Sequence, residues 1–191
     1  KSNFLYFATA GTALFIVGIV CYQLVRTGSP SADIVAASKM AHPTINVSDF
    51  APGDVEAVIL NNIPVIVWRR NEADKVLAAS QNNPSDWVHK FSTVYGQPEA
   101  VFADDANLTI NGEWLIVLAR PEDWKSFESF PLVRSGEFDG FWEGHYVTHF
   151  DLSGRYRHGR SKRNMVVVQG ELIDNQSLIQ LNMSVVPRTD N

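Results

Sequence analysis

At 191 residues, the chain has room for one ordinary domain and a membrane anchor. Its 45% hydrophobic content excludes a disordered polymer, and a formal net charge of -5 gives no reason to expect nucleic acid as a partner. The single cysteine, Cys21, excludes an intrachain disulfide and removes cysteine as a guide to redox compartment.

Residues 4–25 (FLYFATAGTALFIVGIVCYQLV) contain no charged side chain. At 1.5 Å rise per residue, this run spans roughly 33 Å, enough for a tilted transmembrane helix. Tyr6 and Tyr22 stand near its ends, where interfacial aromatics belong, and small residues punctuate it. The alternative is a cleaved signal peptide, for which the run is long and lacks a clear cleavage site. Lys1 and Arg26 flank the run and leave its orientation open. Residues 26–40, including TGSPSADIVAAS, read as a flexible, proline-punctuated linker or hinge.

Beyond the linker the pattern changes to short strands and turns. Residues 55–60 and 63–68, separated by Asn61-Asn62, predict a β-hairpin. Helical spacing of Ala73, Val76 and Leu77 predicts a helix over 72–80, broken by Asn82-Asn83-Pro84. From 86 to 108 the chain is polar and irregular, with Trp87, Phe91, Tyr95 and Phe102 as expected inward anchors. Residues 114–118, 165–168 and 178–181 are rich in β-branched and bulky residues and predict further strands.

Chemistry-bearing motifs are few. There is no Gly-rich phosphate loop, no G-x-S-x-G elbow and no Cys/His nucleophile pair, so no enzyme is expected. Asp104-Asp105 reads as a turn before it reads as a general acid. The basic run Arg155, Arg157, His158, Arg160, Lys162 and Arg163 is the strongest charge feature in an acidic chain. It is either a solvated loop or a docking patch for an acidic protein surface or anionic lipid.

Residues 136–165, GEFDGFWEGHYVTHFDLSGRYRHGRSKRNM, together with GEWLIVL at 112–118, resemble the two cluster-binding loops of Rieske iron–sulfur proteins. Gly136, Phe138, Gly140, His149, Asp151, Ser153, Gly154, Arg155, Arg157, Gly159 and Asn164 match the frame of the second loop. NNIPVIVWRRNEAD, the hinge sequence and KSNFLYFATAG are also similar to that family. On this resemblance, the cysteine and histidine ligands of the second loop fall on Glu143 and Tyr146, and its disulfide cysteine on His145. In the first loop the corresponding positions are Pro121, Asp123 and, for the disulfide, Ser126. A Rieske centre requires two thiolates on one iron and two imidazoles on the other. One cysteine cannot supply two thiolates, so no cluster, no other cofactor and no metal are expected.

A replacement metal held by Asp123, Glu143, His145 and His149 is disfavoured, because the four-residue spacing of the two histidines forms a pair only on a helix. The plainer expectation is that Pro121, Trp124, Phe141, Trp142 and Tyr146 pack the vacated space while the acids face solvent.

The resemblance implies a single N-terminal transmembrane helix (4–25), a hinge (26–40) and a mainly-β head (41–182), with a tail over 183–191. The head is expected to be a Rieske-like antiparallel β-sandwich with a small degenerate cluster-binding subdomain, its loops at about 119–131 and 138–164. The implied function is a non-redox accessory subunit of a quinone-linked respiratory membrane complex, in contact with its other subunits and with the lipid bilayer. The implied location is the bacterial or mitochondrial inner membrane, with the head on the periplasmic or intermembrane side. An assembly or regulatory factor that takes the place of the true Rieske protein is the alternative. A carrier or enzyme with a different metal is a third.

Overall fold

The computed structural model describes Val17, Tyr22 and residues 32–121, 131–144 and 147–183. Two units, 1–39 and 40–191, are compact in themselves. The expected membrane helix over 4–25 lies outside the described residues except for Val17 and Tyr22, which are helical. Among the described residues, no helix is long and apolar enough to cross a membrane.

Much of the expected linker is ordered. Helix α1 (Ala32–Ala41) occupies its C-terminal part. Four alanines favour the helix, and Lys39 in the last turn complements its dipole. A linker reading drawn from small residues underrates a helix when the small residue is alanine.

The head is built from short antiparallel strands. Strand β1 (Thr44–Asn46) precedes the predicted hairpin, β2 (Val55–Leu60) and β3 (Ile63–Arg69). Asn61 and Asn62 both take positive φ, 49° and 64°, the geometry of a type I′ turn. Helix α2 (Glu72–Ser80) follows as expected, closed by a reciprocal capping box between Asn71 and Asp74. Then come β4 (Phe91–Ser92), β5 (Val101–Phe102), the one-turn helix α3 (Asp105–Leu108) and β6 (Thr109–Ile110). Strand β7 (Trp114–Pro121) runs three residues past its predicted end. Strand β8 (Leu132–Val133) precedes the second loop, which contributes β9 (Phe141–Glu143), β10 (Thr148–Phe150) and β11 (Tyr156–His158). Strands β12 (Met165–Val167), β13 (Gly170–Ile173) and β14 (Leu178–Leu181) close the head.

A central sheet in the order β12-β7-β3-β2, with β6 added to β7, separates two cores. Because side chains alternate across a strand, Ile66, Trp68, Leu115 and Val117 face one core while Val65, Val67, Ile116 and Leu118 face the other. Burial on both faces explains why IPVIVW and WLIVLA are nearly continuous apolar runs. The β1-β14-β13 sheet covers the second face, with Ile45, Ile179 and Leu181 inward. The β11-β10-β9-β8 sheet covers the first, through Phe141, Phe150 and the adjoining Leu152. This mainly-β architecture agrees with the expected head. Met183, expected in the tail, belongs to the second core, and its N–H bonds the Ala41 carbonyl at 2.7 Å.

The 86–108 segment corrects one expectation. Trp87 is buried and Tyr95 packs against the second core, but Phe91 is 61% exposed and Phe102 39%. Phe91 and Phe102 are register partners in the β4–β5 pair. The neighbouring Ser92 points inward instead, because its hydroxyl accepts a hydrogen bond from Asn164 Nδ2 at 2.8 Å.

Candidate functional site

The centre of the second loop is the turn Asp151-Leu152-Ser153-Gly154-Arg155, all five residues buried. Asp151 Oδ1 accepts the N–H groups of Ser153 and Arg155, each at 3.0 Å, and this local bonding bends the chain back on itself. Gly154 takes φ +75°, and a Cβ there would stand 3.3 Å from Met165, so glycine suits the bend. Arg155 Nε donates to Asp151 Oδ2 at 2.7 Å. Its remaining donors reach Asn82 Oδ1 at 2.6 Å, the Ala103 carbonyl at 3.1 Å and the Gln81 carbonyl at 3.2 Å. The guanidinium also lies 4.5 Å from the centroid of the Trp87 ring. Burial pushes the Asp151 carboxyl above its ordinary range, against the opposing charge and hydrogen bonds of Arg155.

A second ion pair carries this turn to the central sheet. Arg70 binds Asp105 through two N–H···O bonds of 2.7 Å and donates a third to the Gly112 carbonyl at 2.7 Å. Ser153 Oγ donates to Asp105 at 2.5 Å. Burial raises the Asp105 carboxyl, but the Arg70 hydrogen bonds and charge, Ser153 and Arg155 outweigh it and leave the group below 3.8. Asp105 is therefore a structural anion, and it opens a one-turn helix capped by Asp104 where the sequence suggested a turn. Gln81 links the start of the loop to its central turn, donating to the Phe138 carbonyl at 2.9 Å and accepting from the Leu152 N–H at 3.2 Å.

The positions that the resemblance assigns to ligands have a different character. Glu143 ends β9 and is only 1% exposed, which corrects the expectation that the acids face solvent. Its register partner across the hairpin is the fully buried Thr148. Pro121 ends β7 opposite Met165. Phe141 is buried against Trp68, ring centroids 5.6 Å apart, and Trp142 is half-buried. Asp123, Trp124, Ser126, His145 and Tyr146 lie outside the described residues.

The basic run divides in two. Arg155, expected in a docking patch, is buried and fully committed to the turn, because it neutralises Asp151 there. Arg157 is half-buried, 3.6 Å from the same carboxylate and stacked over Phe138 at 4.7 Å. Arg160, Lys162 and Arg163 are exposed.

Beside them, His149 and His158 are register partners on β10 and β11, their rings stacked 4.2 Å apart. Glu137 bridges the pair, its N–H donating to His149 Nδ1 at 3.2 Å and its carboxylate meeting His158 Nε2 at 2.8 Å. Burial, then the charge of His158, lowers the His149 pKa. The hydrogen bond from His158 lowers that of Glu137. No motif spacing announces this trio, since 137, 149 and 158 meet only through strand register.

No family model matches the chain. It is 30% identical over 189 residues to the ubiquinol–cytochrome c reductase iron–sulfur subunit of Cereibacter sphaeroides, covering 95% of this chain and 94% of that one. This chain belongs to the Rieske iron–sulfur subunit family. The corresponding subunit of Rhodobacter capsulatus is 28% identical over 93% of both chains. The mitochondrial cytochrome b-c1 complex subunit Rieske of Zea mays is 26% identical over 94% of this chain and 60% of its own length.

The name of the family implies an iron–sulfur cluster, and the residues that the sequence resemblance puts at its ligand positions do not fit one. Glu143 is a buried carboxylate, a hard oxygen donor where a thiolate is required, and Pro121 has no side-chain donor. The sole cysteine, Cys21, stands in the N-terminal apolar run. By contrast, the frame residues shared with the Rieske pattern have structural work of their own. Gly140 has no room for a side chain, since a Cβ would lie 2.1 Å from the Asp151 carbonyl oxygen. Asn164 accepts the Tyr156 N–H at 2.9 Å and donates to the Phe91 carbonyl at 3.1 Å.

Proposed function

We propose that this chain is a non-redox, cluster-free accessory subunit of a quinone-linked respiratory membrane complex. The observation that carries the reading is a contrast across the two loops. The scaffold is buried and satisfied from Asp151 to Arg155, while the resemblance puts Pro121, Asp123, Glu143 and Tyr146 where cysteine and histidine ligands would be needed. Family membership supports a place in a respiratory complex, because the relatives are named as subunits of ubiquinol–cytochrome c reductase or the cytochrome b-c1 complex. The host is the cytochrome bc complex, a supercomplex containing it, or complex I. The apolar run 4–25 would anchor the protein in the inner membrane, with the head on the periplasmic or intermembrane side.

Two measurements test this. Iron analysis and electron paramagnetic resonance of the purified, reduced chain should give no Rieske-type signal, and such a signal would overturn the cluster-free reading. A mild-detergent pull-down with quantitative mass spectrometry should recover one mature respiratory complex at fixed ratio. Recovery of only immature sub-complexes, at variable ratio, would make the chain an assembly factor instead.

A further inference from the structure

We propose that Glu137, His149 and His158 form a binding site for a divalent transition-metal cation, zinc best of all, that clips the second loop together. The site shares no residue with the former cluster-ligand positions, so it stands or falls apart from the cluster-free reading. It also departs from the sequence-based expectation of no metal.

The donor set is two imidazoles and one carboxylate, a combination suited to zinc with one position left for water. Their ligand atoms all lie within 4.8 Å of one another. Around tetrahedral zinc, donors about 2.0–2.1 Å from the metal sit roughly 3.3 Å apart, so closure requires shifts of about 1.5 Å or less. Side-chain rotation can supply shifts of that size at this surface, where Glu137 and His158 are exposed.

Three features of the fold assemble the trio. Antiparallel register sets His149 opposite His158. Gly136, at φ +80°, lets the chain turn against the His149 ring, because a Cβ there would lie 2.7 Å from Nδ1. That turn delivers Glu137 to both rings, by its backbone to His149 and by its carboxylate to His158. Phe138 backs His158 with an edge-on contact at 5.9 Å. Arg157, stacked on Phe138, is the nearby positive charge that the cation must tolerate.

The alternative is a simple His158–Glu137 ion pair. It engages one imidazole and leaves His149 Nδ1 with only the Glu137 backbone N–H. A metal would engage all three side chains, taking the His149 Nδ1 lone pair and standing between His158 Nε2 and the Glu137 carboxylate, with both rings bound as neutral ligands. The ion would tie together β10, β11 and the turn at 136–137.

The test is calorimetric titration of the metal-stripped full chain, in detergent, with zinc chloride alone. The expected result is one zinc per chain and a dissociation constant in the micromolar range or below. His158→Gln and Glu137→Gln alter exposed side chains, so circular dichroism should show both variants folded. Each should weaken zinc binding at least about tenfold, which is the loss of one ligand. His42→Gln, exposed and outside the trio, should leave binding unchanged. Absence of saturable binding would overturn the site, as would binding that survives both trio variants or disappears in His42→Gln.

Discussion

Two stretches of the second loop, with seven residues between them, differ in what holds them. The Asp151–Arg155 turn is closed by its own side chains and tied to Gln81, Asn82 and Ala103. Position 143, at the end of β9, is buried too, but it carries a carboxylate where the Rieske pattern has a metal ligand. The first stretch is scaffold and the second is where the family's chemistry would reside. The bonds described for the turn run to Gln81, Asn82, Ala103 and Asp105, none of which the resemblance assigns to a ligand, so the ligand positions can change while the turn keeps its shape. Family resemblance built on the scaffold therefore reports fold, and function has to be read at the site.

If scaffold and site are separable, damage to the scaffold should be the costlier of the two. Arg155→Met strands the buried Asp151 carboxylate and should cost about 3–5 kcal/mol in urea denaturation, the usual penalty for breaking a buried pair. A loss under about 1 kcal/mol would mean that Arg157, 3.6 Å away, takes over the pairing and that the turn is less specific than described.

Gly140→Ala should follow, at about 1–3 kcal/mol, because its Cβ would collide with the Asp151 backbone rather than with a movable side chain. Thermal melts of the two variants side by side would rank them.

Acid sharpens the comparison at Asp105. Its carboxyl is lower in the folded protein than in the unfolded chain, so its contribution is fully present above pH 3.8 and fades as pH falls through the lower folded value. In Asp105→Asn the acid limb of the stability curve below pH 3.8 should be shallower than in the wild type. An identical limb would remove Asp105 from the set of groups that tie the turn to the sheet.

The smallest stability effect belongs to the exposed end of the basic run. Reversing Arg160, Lys162 and Arg163 to Glu together should move unfolding free energy by roughly 0.5 kcal/mol per site or less, since none of them is buried. It should nevertheless reduce recovery of the host complex in a pull-down. Undiminished recovery would exclude these three as docking residues.

Legibility in the sequence followed the range of the interaction. The β2–β3 hairpin was readable because Asn61-Asn62 carries its turn chemistry locally, and α2 because apolar spacing and the Asn82-Asn83-Pro84 break define its span. Arg155 was misread as surface charge because its environment comes from Gln81, Asn82 and Ala103, more than fifty residues earlier. Phe91 was misread as an anchor because only pairing with β5 decides which face of a two-residue strand turns outward. The Glu137, His149 and His158 cluster carries no sequence signature, since strand register rather than spacing brings it together.

By itself the sequence determined the inventory: one cysteine, no cysteine or histidine at four expected ligand positions, and apolar runs long enough to be buried on both faces of a sheet. Those conclusions depend on residue identity and local order, which need no third dimension. The tertiary structure decided which charges are buried and paired, which aromatics face out, and which side chains meet across strands. Burial and long-range pairing are properties of the packed chain, fixed by layers that assemble from segments far apart in sequence.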